Sequence, residues 1–213
     1  METVFGYDVD EALDSIEALR THAQMPSERV ASKVIDRIDP LSQRFIAASP
    51  LVFVSSQRPD GVLDMTPRGD PAGFVKVLDP KTLALPDRPG NNRMDLFENV
   101  IDNGRIGLIF VIPGHRDTLR VSGTARLVRD AALAQQMAVN DKPAKYVLLI
   151  RVERVLSHCP KAFIRGHVWE PDNWPDLGDV PSLSELIKAH AKVPDTLEQL
   201  DEIIHISNTE RLY

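Results

Sequence analysis

The period of the apolar residues changes at Leu51, and that change limits the fold more than any other feature of the chain. Before it, Val9, Leu13, Ile16 and Leu19, then Val30, Val34, Ile35 and Ile38, recur at three- and four-residue spacing, so residues 8–48 read as helical. Asp39-Pro40 interrupts the pattern, and Leu41 to Ala48 reads as one more short helix ending at Ser49-Pro50. After Leu51 the runs are short and β-rich. Leu51–Ser55 and Val62–Thr66 flank the turn Arg58-Pro59-Asp60-Gly61, with a break from Pro67 to Gly73. Phe74–Leu78 and Thr82–Leu85 flank Asp79-Pro80-Lys81. Two hairpins in succession require an antiparallel sheet.

Asn92–Ile101 follows with helical spacing of Met94, Phe97, Val100 and Ile101, and Asn91 is its expected N-cap. Arg105–Ile112, Thr118–Val128 and Tyr146–Val155 read as strands, Phe163–Val168 as one more, and Ala131–Val139 as a short helix. Six or seven strands without regular crossover helices exclude a doubly wound parallel sheet and point to a small barrel with helical flanks. The expected organisation is a helical extension over 1–48, a barrel over 49–169 and an acidic extension over 170–213. A helix is expected in the last part from Leu183 to Ala191.

Charge narrows the function. The net charge of −6 disfavours a nucleic-acid partner. Its distribution is uneven: Glu170–Glu202 holds nine acids and two lysines, whereas Thr66–Arg93 holds five bases and three acids. The longest apolar run, Ile106–Ile112, has seven residues, against the ~20 of a membrane-spanning helix, so no membrane partner is expected. The single cysteine, Cys159, and a start without a basic or apolar leader segment fit a cytoplasmic protein. His158, Cys159 and His167 lack the second ligand pair of a zinc site, so no metal is expected. Dinucleotide, P-loop, nucleophile-elbow and zincin motifs are all missing.

The basic stretch joins a strand to a helix through Asp87-Arg-Pro-Gly-Asn-Asn-Arg93. Free N–H groups and the dipole at a helix start favour an anion, and Arg88 and Arg93 can make bidentate contacts to a phosphate. Arg68, after the second strand, reaches the same place if the hairpins come together. Individually these arginines read as surface residues; together at a strand–helix junction they indicate a phosphate site.

The order and spacing of Val75-Lys76, Asp79-Pro80-Lys81, Thr82–Leu85, Asp87–Arg93, Asn103-Gly-Arg-Ile-Gly107 and Leu119-Arg-Val-Ser-Gly-Thr-Ala125 carry a resemblance. From about Ala47 to Asp130 the chain resembles the pyridoxamine 5′-phosphate oxidase-like family of FMN-binding split β-barrels, in an uncharacterised FMN-dependent branch. The resemblance implies FMN as cofactor and a homodimer with the flavin at the subunit interface. It puts Arg93 in the place of a phosphate-binding lysine and Asn91 and Asn92 where serine and a basic residue usually stand. Arg68 and Arg88 would add charge around the phosphate, and Phe74, Val75 and Lys76 would lie along the isoalloxazine ring. Arg120 would face the flavin from the neighbouring subunit.

Asp87 replaces the usual threonine, a charge suited to the site only if it points away or holds an arginine. The C-terminal Trp-Arg-Pro-x-Arg signature of the true vitamin B6 oxidases is absent, which lowers pyridoxamine phosphate as the substrate. The expected activity is flavin-mediated hydride or electron transfer on a small molecule, with no acid/base side chain assigned. Lys76 is the candidate for tuning the flavin or meeting an anionic substrate. A true pyridoxamine 5′-phosphate oxidase, a non-catalytic flavin carrier or sensor, and a barrel holding haem or a deazaflavin are the rival readings.

Overall fold

The computed structural model describes all residues, Met1 to Tyr213. They divide into two compact units, Met1–Val34 and Ile35–Tyr213. The first unit differs from the all-helical expectation. It opens with a hairpin of β1 (Glu2–Val4) and β2 (Tyr7–Val9), turned by Phe5 and Gly6 in the left-handed region. Two short helices follow, α1 (Ile16–His22) and α2 (Glu28–Ser32), neither with a buried residue. The apolar spacing there corresponds to helices of only two turns or less, separated by Met25-Pro26.

After the two-residue β3 (Val34–Ile35), α3 (Pro40–Ala48) is the expected short helix. Pro40 starts it rather than interrupting one, because proline at the first position loses no hydrogen bond. The Asp39 carboxylate caps it, accepting from the Ser42 N–H at 2.8 Å. Seven strands follow: β4 (Leu51–Gln57), β5 (Leu63–Gly69), β6 (Lys76–Asp79), β7 (Thr82–Pro86), β8 (Arg105–Val111), β9 (Thr118–Val128) and β10 (Val147–His158). Between them lie α4 (Asp95–Asp102) and α5 (Ala131–Gln136). After them come α6 (Lys161–Arg165), α7 (Leu183–Ala191) and α8 (Leu197–Glu210). The strand expected over Phe163–Val168 is therefore wrong: its core is the one-turn α6, closed by a bond from the Gly166 N–H to the Ala162 carbonyl at 2.9 Å.

These seven strands pair antiparallel in the order β5-β4-β8-β9-β10-β7-β6, and β3 joins the same sheet by pairing with β10 off that path. Each hairpin is present, but the two stand at opposite ends of the sheet, and their outer strands β5 and β6 do not pair. The sheet is a split barrel. Its inner face alternates as a half-buried strand must: Val52 and Val54 stand in register with Phe110 and Leu108, and Ile150 and Leu148 with Leu83 and Leu85. All eight side chains lie in the main core, sealed by Leu96, Phe97 and Val100 of α4. Ala84, on the other face of β7, belongs to a smaller cluster with Ala134 and Met137.

Edge strand β5 runs through Pro67, where the sequence reads as a break, because an edge strand tolerates a residue without an N–H. Its inward row also differs from the others. Asp64, Thr66 and Arg68 stand opposite Ser56, Val54 and Val52. The barrel wall is polar where it is split.

One glycine is dictated by the close approach of strands β9 and β10. A Cβ on Gly123 would lie 1.9 Å from the Arg151 carbonyl oxygen, beside the bulge between Val152 and Arg154. At Gly107 the nearest atom, 2.6 Å away, is only the Ser55 hydroxyl, which can rotate. Gly123→Ala is expected to lower stability by roughly 3 kcal/mol, and Gly107→Ala by about 1 kcal/mol or less, in urea unfolding. Equal losses would contradict the backbone clash.

Candidate functional site

The split opens as a cleft of about 850 Å³ bounded by β5, the exit of β7, the segment 86–95, the loop 142–145 and Tyr213. Arg68, Arg88, Arg93, Lys142 and Lys145 line it, together with Asp64, Asp87 and Asp95. A basic surplus of this kind concentrates positive potential in an otherwise acidic chain.

The segment leaving β7 is fixed by the Asp87 N–H, which donates to the Tyr146 carbonyl at 2.9 Å. The helix after it starts later than the sequence suggests. Asn91 does not cap α4; its side-chain oxygen accepts from the Arg93 N–H at 3.0 Å, and Asn92 takes a left-handed conformation with φ 58°. These local bonds turn the chain before α4 starts at Asp95, where Met94 stands at the cap and supplies no side-chain acceptor. Arg93 is largely exposed and grips Asp95 through Nε at 2.9 Å. That bond holds Asp95 below the usual carboxylate range and Arg93 above the usual guanidinium value.

Arg88 is a structural bracket. Its Nε donates to Asp70 Oδ2 at 2.6 Å and its Nη2 to the Met137 carbonyl at 2.6 Å, beside a fully buried Asp70 side chain. Arg68 is held more loosely. Register places it on the inner face, where its guanidinium covers the Phe97 ring at 5.3 Å and its Nη1 lies 3.5 Å from Asp87 Oδ1. Its Nε is buried without a hydrogen-bond partner. Burial pushes Asp87 above its ordinary value and Arg68 below its own, the neighbouring charge opposing each shift only in part. Asp87 therefore faces an arginine, the arrangement under which its charge suits the site.

The structure thus brings Arg68, Phe74, Asp87, Arg88, Asn91, Asn92 and Arg93 to one cleft. Val75 is buried in the core, Lys76 is exposed at the start of β6, and Arg120 is exposed on β9 opposite Ile109; none of the three lines the cleft. Sequence reasoning passed over Asp64, Lys142, Lys145 and Tyr213. Asp64 is anchored by the buried Asn99, whose Nδ2 donates to Asp64 Oδ2 at 2.6 Å and lies 3.0 Å from Ser56 Oγ. A signal for that anchor exists: Asn99 is a polar residue between the apolar Leu96, Phe97 and Val100 on one helix face. The loop lysines and Tyr213 carry none, since they reach the cleft only through the tertiary fold. His158 and Cys159 lie at the end of β10, and His167 Nδ1 is 2.8 Å from Glu170 Oε2. No three His, Cys, Asp or Glu side chains gather in metal-binding geometry.

No curated protein matches the sequence. Among solved structures, HupZ of Group A Streptococcus is similar at 22% identity and a TM-score of 0.47, over 56% of this chain and 93% of that one. General stress protein 26 of Bacillus anthracis is similar at 14% identity and a TM-score of 0.43, over 55% of this chain and 90% of that one. A FAD-binding protein of Mycobacterium smegmatis is similar at 13% identity and a TM-score of 0.40, over 58% of this chain and 98% of that one. The model of the pyridoxamine 5′-phosphate oxidase family matches residues 38–159, more than half of the chain and all of strands β4 to β10. This chain belongs to the pyridoxamine 5′-phosphate oxidase-like family.

Proposed function

We propose that the chain binds FMN in this cleft, as a homodimer, and acts as an FMN-dependent oxidoreductase on a small molecule. The observation that carries the reading is Arg68: a cleft-lining guanidinium whose buried Nε–H has no acceptor within the chain. A buried donor left unpaired costs about 1–3 kcal/mol, and a phosphate oxygen is a suitable acceptor. Arg93, Lys142 and Lys145 add charge, and Arg88 adds it from behind, held by Asp70. Asn91 and Asn92 shape the turn around which the phosphate would sit, and Phe74 and Phe97 supply apolar walls. The cleft volume lies within the range of cofactor pockets.

When bound, the flavin supplies the hydride or electron transfer; this chain's part is binding, orientation and electrostatics. The proposed dimer rests on the outer face of the sheet. Register places Met65, Pro67, Phe53 and Ile109 on one face, with Arg120 beside Ile109. Met65 is 81% exposed, Phe53 45% and Ile109 40%, and Met65 also forms the rim of the cleft. A second copy on this stripe would cover the apolar side chains and bring its own Arg120 toward the flavin. Lys76, exposed at the start of β6, is a proposed flavin contact in the assembled dimer, whereas Val75, buried in the core, can offer only its backbone.

Three outcomes are expected. The purified protein shows flavin absorbance with FMN, and Arg68→Ala weakens FMN binding by roughly 1.5–3 kcal/mol in fluorescence titration. Unchanged affinity would remove Arg68 from the site. Asp87→Asn has the opposite sign. Because the folded carboxyl pKa is raised, ionised Asp87 lowers stability at neutral pH. The loss is recovered as pH falls through the raised value and is complete below the ordinary 3.8. The asparagine variant should therefore be at least as stable as wild type at pH 7, with the difference vanishing near pH 4, and should bind FMN tighter by roughly 1 kcal/mol. A less stable variant with weaker FMN binding would show that Asp87 serves only to hold Arg68. Finally, light scattering should give a dimer, and Phe53→Glu with Ile109→Glu should give a monomer with impaired FMN binding. A monomeric wild type that retains FMN would refute the interface.

A further inference from the structure

Tyr213 sits at the wall of the cleft. Helix α8 is set on α7 by the buried Leu200 and by a hydrogen bond from the Ser184 hydroxyl to the Asp201 carboxylate. It gives way at Arg211, and Leu212 is exposed. Tyr213 then makes three separate contacts. Its hydroxyl donates to Asp70 Oδ1 at 2.7 Å, its ring lies 5.9 Å from the Arg88 guanidinium carbon, and its backbone oxygen accepts from Lys142 Nζ at 2.6 Å. The other Asp70 oxygen takes the Arg88 Nε–H at 2.6 Å, so phenol, carboxylate and guanidinium form one chain of bonds. The Asp70 side chain is fully buried, and the carboxylate beside it holds the Tyr213 phenol above its usual value, so the hydroxyl remains a donor. The cleft keeps its volume with Tyr213 in place, so the residue walls the cleft without filling it.

We propose that Tyr213 is a positioning residue and strap for the cleft: it orients Arg88 through Asp70, ties down Lys142 and retains a phosphate-bearing ligand once seated. The proposal rests on the cleft being the FMN site. Loss of the phenol leaves one oxygen of a buried carboxylate without its side-chain donor, and a buried acceptor left unsatisfied reorients or draws in water. Arg88 then loses its fixed direction, Lys142 is released, and the wall beside Arg88 opens.

The test is the rate of FMN release from the whole protein, followed by flavin fluorescence after dilution, for wild type, Tyr213→Phe and Tyr213→Ala. The alanine variant is expected to release FMN about tenfold faster, with association unchanged or faster. The phenylalanine variant, keeping the ring and losing the Asp70 bond, should lie between them. Hydrogen exchange on the FMN-free proteins is expected to rise around Asp70 and over Met137–Lys142 in the alanine variant, a readout that needs no flavin. Release at the wild-type rate from a folded alanine variant would overturn the strap and leave the FMN reading standing. Failure of wild type to bind FMN would overturn both, while hydrogen exchange would still report whether Tyr213 docks.

Discussion

Two arginine–aspartate pairs span the split of the sheet, and the cleft depends on them. The path of the sheet runs through seven strands, with β3 paired to β10 beside it, and yet has no hydrogen bonds between its outer members. The two ends are instead related by charge. Arg68 of β5 faces Asp87 at the exit of β7, and Asp70 just past β5 grips Arg88. Such pairs gain little over apolar packing when complete, and the two differ: losing Arg88 would strand the fully buried Asp70 carboxylate, whereas the burial of Asp87 outweighs the neighbouring Arg68 charge and favours its neutral form. They therefore act as spacers, holding two strand ends near each other with polar groups directed into the gap. Full closure of the barrel would have filled this volume with aliphatic side chains.

Edge strands carry unpaired N–H and C=O groups, which are open to unwanted pairing, and inward-pointing charges and proline are common remedies. Strand β5 has both, in Asp64, Arg68 and Pro67. The same residues that prevent closure or edge pairing supply the charge of the proposed ligand site. Burial strengthens this effect: the Arg68–Asp87 pair lies where solvent screens it weakly, so a small change of charge there alters ligand affinity more than at exposed Arg93.

The sheet was legible because its signals are local. Alternation in Leu51–Gln57 and Thr118–Val128 and the turn chemistry of Pro59-Asp60-Gly61 are written within a few residues of each other. Helix α7 was legible for the same reason, its start marked by the Ser182–Glu185 capping box. The errors occurred where tertiary context decides. Pro67 reads as a break until β5 is known to be an edge strand. Phe163–Val168 has strand-like composition, yet a short turn stacks Phe163 on Trp169 at 5.6 Å. Asn91 reads as a cap because its residue type suits one, and only the bond to the Arg93 N–H shows that it serves a turn instead.

The arginines of the cleft were readable as a group, but their roles were not. Sequence treats Arg68, Arg88 and Arg93 as equivalent, since each is a cation near one junction. Structure separates them by what already occupies their donors. Arg88 has given Nε and Nη2 to Asp70 and Met137, Arg93 has turned outward to Asp95, and Arg68 alone retains a buried N–H without an acceptor. Equal charge thus becomes three functions: a bracket, a rim and a vacant donor. The distinction follows from which carboxylate each arginine meets first. Those meetings, across 18 residues for Arg88 and 19 for Arg68, are set by the curl of the whole sheet.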